Sequence, residues 1–293
     1  MAELQIVDAH FHLWDHTAEG LAWDWLVPGT AHPLLGDISP LQTREYTVDD
    51  YLSDVRQHRV TKAVHVQAAI GSPDPVRETE WLQEYADRTG FPHGIVAHAD
   101  LKDPDVERVL ERHRAHRNMR GVRDFSYGDY LVEDSWHRGF ALLAKHELSC
   151  DLDCTWERMG KARKLADRFD NTLIVLDHAG LPEDRTDEYF ASWRAGMATL
   201  AGADNVVCKI SGLGMGDHMA GGRWSVDSIR PYIQGCLEIF GVDRCLFGSN
   251  WPVDSLFADY GPTLAAYLEA TAELTEGERA AVFHDNAIRV YRL

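Results

Sequence analysis

Basic charge is scarce in this 293-residue chain: 29 lysines and arginines stand against 47 aspartates and glutamates, a formal net charge of −18. That balance works against any non-specific hold on nucleic acid or an anionic membrane surface. Cysteine is equally sparse. Cys150, Cys154, Cys208, Cys236 and Cys245 form no Cys-x-x-Cys pair, so zinc-ribbon and disulfide frameworks are excluded and reduced core thiols are expected. No stretch approaches the roughly 18 uninterrupted apolar residues of a membrane span, and "MAELQIVDAH" lacks the basic-then-apolar pattern of a secretory leader. A cytoplasmic protein is the expectation. Also missing is a G-x-G-x-x-G after the first strand; the one Gly-rich stretch, "SGLGMGDHMAGG", does not supply it, which argues against dinucleotide binding.

What is present is repetition. Short runs rich in Val, Ile and Leu, each followed by a longer segment of helical periodicity, signal parallel strands buried on both faces. Eight such runs predict strands over 4–12, 61–70, 93–101, 119–125, 148–154, 172–180, 205–213 and 244–251. Between them lie amphipathic segments, among them "VRETEWLQEYADRTG" and "DVERVLERHRAHRN", and Thr275 followed by Glu278 forms a capping-box pattern near the end. Eight alternating units in a chain of this length indicate an α/β fold, a closed (β/α)8 TIM barrel forming one domain over residues 1–293, because an open sheet would leave edge strands. One connection is unusually long. From Leu13 to Val48 the chain carries Trp14, Trp23 and Trp25, and it reads equally as a lid over the first strand or as a surface excursion packing its own tryptophans.

In a barrel the C-terminal strand ends converge on one mouth. There the sequence places His10 and His12 on strand one, Gln67 on strand two, Arg123 on strand four, Asp177 and His178 on strand six, Lys209 on strand seven, and Asn250, Trp251 and Asp254 after strand eight. Strict strand alternation sets Asp8, His10 and His12 on one face, with Asp8 available to orient either imidazole or simply to cap the barrel floor. A third histidine across the barrel gives three neutral imidazoles that can converge on one divalent metal, or hold substrate oxygens without one. Lys209 and Arg123 put cations near the mouth, suited to a carboxylate or a developing oxyanion, or else to ion pairs with Asp151, Asp153 or Asp177.

Taken together, "DAHFHLWD", "GVRDF", "VLDHAG", "VVCKISGL", "CLFGSNWPVD" and "HDNAIRVYRL" resemble the amidohydrolase-related (amidohydrolase 2) family of TIM-barrel hydrolases, nearest its L-fuconolactonase and pyrone-dicarboxylate lactonase branch. The resemblance runs from residue 6 to residue 293 in order. It implies hydrolysis of a ring ester, with His10, His12 and His178 lining a metal or carbonyl-polarising site and Arg123 holding an anionic or polyhydroxylated small molecule. It also implies one divalent metal at most, zinc ahead of manganese, since the branch includes metal-free enzymes and no lysine ends strand four. The chain departs from the family at "GSNWP", where an aspartate usually serves as ligand and base: Asn250 cannot accept a proton at neutral pH.

The expectation is therefore a lactone hydrolase. His178, Asp254 and Asn250 are its catalytic candidates; Arg123, Gln67, Lys209, Trp14 and Trp251 are its substrate-binding candidates; His10, His12 and His178 are its metal candidates. Two alternatives share the fold: a decarboxylase of an aromatic or unsaturated acid, recognised by release of carbon dioxide, and a ligand-binding barrel without turnover. Homo-oligomerisation is left open by the sequence.

Overall fold

The computed structural model describes residues 4–126 and 128–293. Eight parallel strands follow one another around a single sheet in chain order: β1 Ile6–Phe11, β2 Val60–Val66, β3 Gly94–Ala97, β4 Met119–Arg123, β5 Ser149–Leu152, β6 Ile174–Leu176, β7 Val206–Ile210 and β8 Cys245–Phe247. The barrel closes where β1 meets the segment after β8, through Asn250 N–H to His10 O at 2.8 Å and His12 N–H to Trp251 O at 2.7 Å. Gly248 permits that closure, since a Cβ there would stand 2.7 Å from the His10 Cβ.

Two apolar layers hold the barrel. The inner one takes Val7, Ala9, Val64, Val66, Val96, Val175, Val207 and Leu246 from the strands, and is completed by Ala287, Val290 and Tyr291 of the C-terminal helix Asn286–Tyr291. The outer one lies between strands and the surrounding helices, which include Val76–Thr89, Asp134–Lys145, Asp187–Ala201 and Val226–Phe240. The expected capping box is formed, with Thr275 Oγ1 accepting from Glu278 N and Glu278 Oε2 accepting from Thr275 N. All five cysteines are buried as free thiols; the Cys208 and Cys236 sulfurs lie 3.8 Å apart. No helix of the described residues is long and apolar enough to cross a membrane.

Three departures from the sequence reading have local causes. Strand six stops at Leu176, because Asp177–Gly180 forms a tight turn in which His178 and Ala179 both take φ of +52°. Strand eight stops at Phe247, and the chain then turns at Asn250, φ +56°. The third is in β1. The β1/β2 ladder is irregular between Asp8 and Phe11, which breaks strict alternation. Val7 and Ala9 therefore join the inner layer, while Asp8 turns outward to accept from Tyr51, from the backbone and hydroxyl of Ser249, and from the His10 backbone N–H. Asp8 thus leaves the face that alternation would have it share with His10 and His12, and of its two expected roles it does not fill that of orienting an imidazole.

The loop from Leu13 to Val48 packs its own aromatic residues. Trp14 pairs with Tyr46 through two backbone hydrogen bonds of 2.9 Å and donates from its indole to Arg44 O, while Trp23, Leu26, Ile38 and Leu41 are buried around it.

Candidate active site

At the C-terminal end of the barrel, β1 and the turn after β6 bring three imidazoles together. The His10 and His12 Nε2 atoms lie 3.1 Å apart, and the His10 ring centroid is 4.9 Å from that of His12 and 4.5 Å from that of His178. His12 Nδ1 donates to Val66 O at 2.8 Å, which leaves its Nε2 lone pair bare toward His10. His178 Nδ1 pairs with Ser211 Oγ at 2.9 Å, and the left-handed backbone at His178 is the strained turn that delivers its ring. Gly212, φ +61°, lets its neighbours pack close: a Cβ there would stand 2.6 Å from the Met215 methyl, 2.7 Å from His178 Nδ1 and 3.3 Å from Asn250 Nδ2.

Beneath the imidazoles lies a buried charge network. The Lys209 ammonium donates to Asp151 Oδ2 at 2.7 Å and Asp177 Oδ1 at 2.8 Å, and reaches His10 Nδ1 at 3.2 Å. Tyr291, from the far end of the barrel, donates to the same Asp151 oxygen at 2.7 Å. Arg123 sits beside it, 3.4 Å from Asp177 Oδ2 and 3.6 Å from Asp153 Oδ2, and donates to Gln67 O at 3.0 Å. Gln67 itself is buried, and its side-chain amide has no hydrogen-bond partner among the described residues.

These surroundings set the protonation states. Burial, with Lys209 adjacent, holds His10 well below the ordinary imidazole value; burial and Arg123 do the same to His12, and burial takes His178 down to about 4. All three are neutral at pH 7. Burial opposes ionisation of Asp177, yet Lys209 and His10 outweigh it and hold the carboxyl well below its usual range. For Lys209, Asp151 and Asp177 overcome the cost of burial and keep the ammonium protonated. Burial pushes Asp153, Asp254 and Glu78 each up to about 7.

The donor set suits a metal. Ligand atoms of His10, Asp177 and His178 all lie within 4.8 Å of one another, while His12, anchored on a carbonyl through Nδ1, turns its Nε2 to the His10 ring and lies outside that cluster. The sequence offers His10, His12 and His178 as ligands; Asp177 joins the cluster because it follows Val175 of the inner layer by two residues and so faces inward at the end of β6.

Several candidates lie elsewhere than expected. Lys209 is fully buried among carboxylates, so it stands beneath the site and not at its mouth. Trp14 is buried against Tyr46 and Trp25, and the Trp251 indole donates to Asp54 Oδ2 and packs edge-on against Tyr260, so neither ring is brought to the imidazoles. Asp254 stands behind Asn250, accepting from its Nδ2 at 2.8 Å. Tyr291 was not foreseen at all; nothing local in the sequence links it to Asp151, 140 residues away. Toward solvent, a cavity of about 570 Å³ opens between the loops after β7 and β8, walled by His218, Arg223, Trp224, Leu256 and Phe257.

Against known proteins, the model of the amidohydrolase family matches residues 7–293. The chain belongs to the amidohydrolase family. This amidohydrolase is 40% identical to the protein y4mH of Sinorhizobium fredii over the full length of both chains. It is 31% identical to an L-fucono-1,5-lactonase of Burkholderia multivorans, covering 98% of this chain and 96% of that one. A crystal structure of an amidohydrolase from Burkholderia multivorans with bound zinc superimposes with a TM-score of 0.84, at 28% identity and 99% coverage of each chain. The amidohydrolase is thus an enzyme, and the alternative of a binding barrel without turnover gains no support from the comparisons.

Proposed function

We propose that this amidohydrolase opens the ring of a neutral, polyhydroxylated lactone by attack of water on its carbonyl. The observation that carries the reading is the arrangement of three neutral imidazoles above a charge network in which both cations are already matched by carboxylates. With Lys209 committed to Asp151 and Asp177, and Arg123 to Asp153 and Asp177, neither cation beneath the imidazoles is left unmatched for a second carboxylate. A sugar lactone fits this site better than a pyrone dicarboxylate. The unpartnered amide of Gln67, beside Arg123, offers two donors and an acceptor to ring hydroxyls. The lactonase relatives support the same class.

His10 receives an N–H from Lys209 at Nδ1, so its own proton sits on Nε2 and is donated to the His12 lone pair at 3.1 Å, which fixes the two rings against each other beside the site. His178 accepts a proton from water as the water oxygen bonds to the carbonyl carbon. The ring C–O bond then breaks, and the His178 imidazolium returns the proton to the leaving alkoxide. A divalent metal, zinc ahead of manganese, would be held by His10, Asp177 and His178 with His12 adjacent, and when bound would supply Lewis-acid polarisation of the carbonyl.

His178→Ala is expected to lower kcat on sugar lactones by roughly 10²-fold or more in a pH-indicator assay, with an unchanged circular dichroism spectrum. A near-normal kcat/KM in the folded variant refutes the assignment.

A further inference from the structure

The buried charge network is closed at one end and open at the other. Lys209, Asp151 and Asp177 have fully buried side chains, that of Arg123 is 6% exposed, and that of Asp153 is 24% exposed. Position along β5 explains the gradient. Asp151 faces inward to Lys209, and Asp153, just past the strand and two residues further on, keeps that face one step nearer the mouth. The register of β5 on β6 pairs Leu152 with Leu176, which sets Asp153 alongside Asp177 and next to the turn that carries His178. Tyr130 holds the Asp153 backbone there, donating to its carbonyl at 3.3 Å.

The Asp153 carboxylate has an ion pair but lacks a hydrogen bond at Oδ2. Arg123 Nη1 stands 3.6 Å from that oxygen, too far for one, and Oδ2 is buried with no donor among the described residues. The Arg123 Nε–H is likewise buried without an acceptor among them. A donor and an acceptor are thus left unmet at the open end of the network, and burial makes each costly until it is paired. A matched ion pair repels a further carboxylate, whereas a hydroxyl is donor and acceptor at once. We propose that Asp153 is a specificity-determining residue: a ring hydroxyl of the substrate donates to its carboxylate and accepts from the guanidinium of Arg123, so the site selects a hydroxylated lactone over the bare ring. The inference rests on the lactonase reading above. No bond is made or broken at Asp153, and His178 remains the base.

The test uses the whole protein at pH 8, where Asp153, pushed up to about 7 by burial, is ionised. For wild type, kcat/KM on the best of a panel of aldono-1,4- and 1,5-lactones is compared with that on γ-butyrolactone or δ-valerolactone, the same rings without hydroxyls. In Asp153→Leu this selectivity ratio should fall by roughly 10- to 10²-fold, the worth of a hydrogen bond to a charged group. Any disturbance of Arg123 weakens both substrates alike and cancels in the ratio. Asp153→Asn keeps an acceptor but loses the charge, so its ratio should lie between the other two. An unchanged ratio in Asp153→Leu, whether both activities hold or both fall together, overturns the proposal. If Asp153→Leu does not fold, Asp153→Asn decides: a lowered ratio supports the anchor, and an unchanged one overturns it. Wild type without turnover on any sugar lactone refutes the lactonase reading. The anchor is then read by titration calorimetry with 1,5-anhydrogalactitol, a hydroxylated ring without a carbonyl: binding that weakens about tenfold in the folded Asp153 variant supports it, and equal binding, or none to wild type, overturns it.

Discussion

Glu78 shows how a buried carboxyl shapes the pH response of the fold. It lies in the helix Val76–Thr89, and its Oε1 accepts from the backbone N–H groups of Ala68 and Ala69 at 2.8 and 2.9 Å, pinning the loop after β2 where Gln67 stands. Burial nevertheless dominates and raises it to about 7. The folded state then binds a proton that the unfolded chain, near 4.5, has already released. This contribution to stability is complete below about 4.5 and is lost as pH rises through 7. Glu78→Gln keeps an acceptor for the two N–H groups and does not titrate, so its Tm relative to wild type should climb between pH 5 and pH 8. A relative Tm that falls over that range would contradict the burial argument. His65 adds an opposite trend: buried, it falls to about 3, so its neutral form favours the folded state above the ordinary imidazole value and that advantage shrinks in acid.

Among the elements, the C-terminal helix Asn286–Tyr291 has a role out of proportion to its length. It closes the inner layer from below and sends the Tyr291 hydroxyl to Asp151, which also takes the Lys209 ammonium. Tyr291→Phe removes one donor from a buried carboxylate and should cost about 1–3 kcal/mol in urea denaturation. Lys209→Met leaves Asp151 and Asp177 without their shared cation and should cost about 3–5 kcal/mol. A Tyr291→Phe midpoint equal to wild type would mean that the hydroxyl bears no weight. The eight strands and their order were readable from apolar runs, because parallel strands buried on both faces leave a strong local mark. The strand ends were less readable. His178 and Asn250 take positive φ that periodicity cannot register, and the irregularity in β1 that sends Asp8 outward depends on its partner strand. The histidines of the candidate site were visible as residue types at strand ends. Their neutral state, and the committed partners of Arg123 and Lys209, come from contacts between residues far apart in the chain.

The whole molecule carries its excess of acid largely on the outside, with a net charge of −18. Self-repulsion of this kind opposes the compact state, and it weakens as the screening length contracts from about 30 Å at 0.01 M salt to about 8 Å at 0.15 M. Tm should therefore rise with sodium chloride over that interval; a steady fall would mean that favourable surface ion pairs outweigh the repulsion. The cysteines bear on the integrity of the same body. Each is buried, and burial raises every thiol, with Cys154 pushed up to about 12, so the folded protein presents almost no thiolate. Five silent sulfurs distributed between β5 and β8 thus form an internal clock. A maleimide or iodoacetamide added to the native protein can react only as fast as the barrel opens, and the count of labels on each molecule would record whether it opens as one unit or strand by strand.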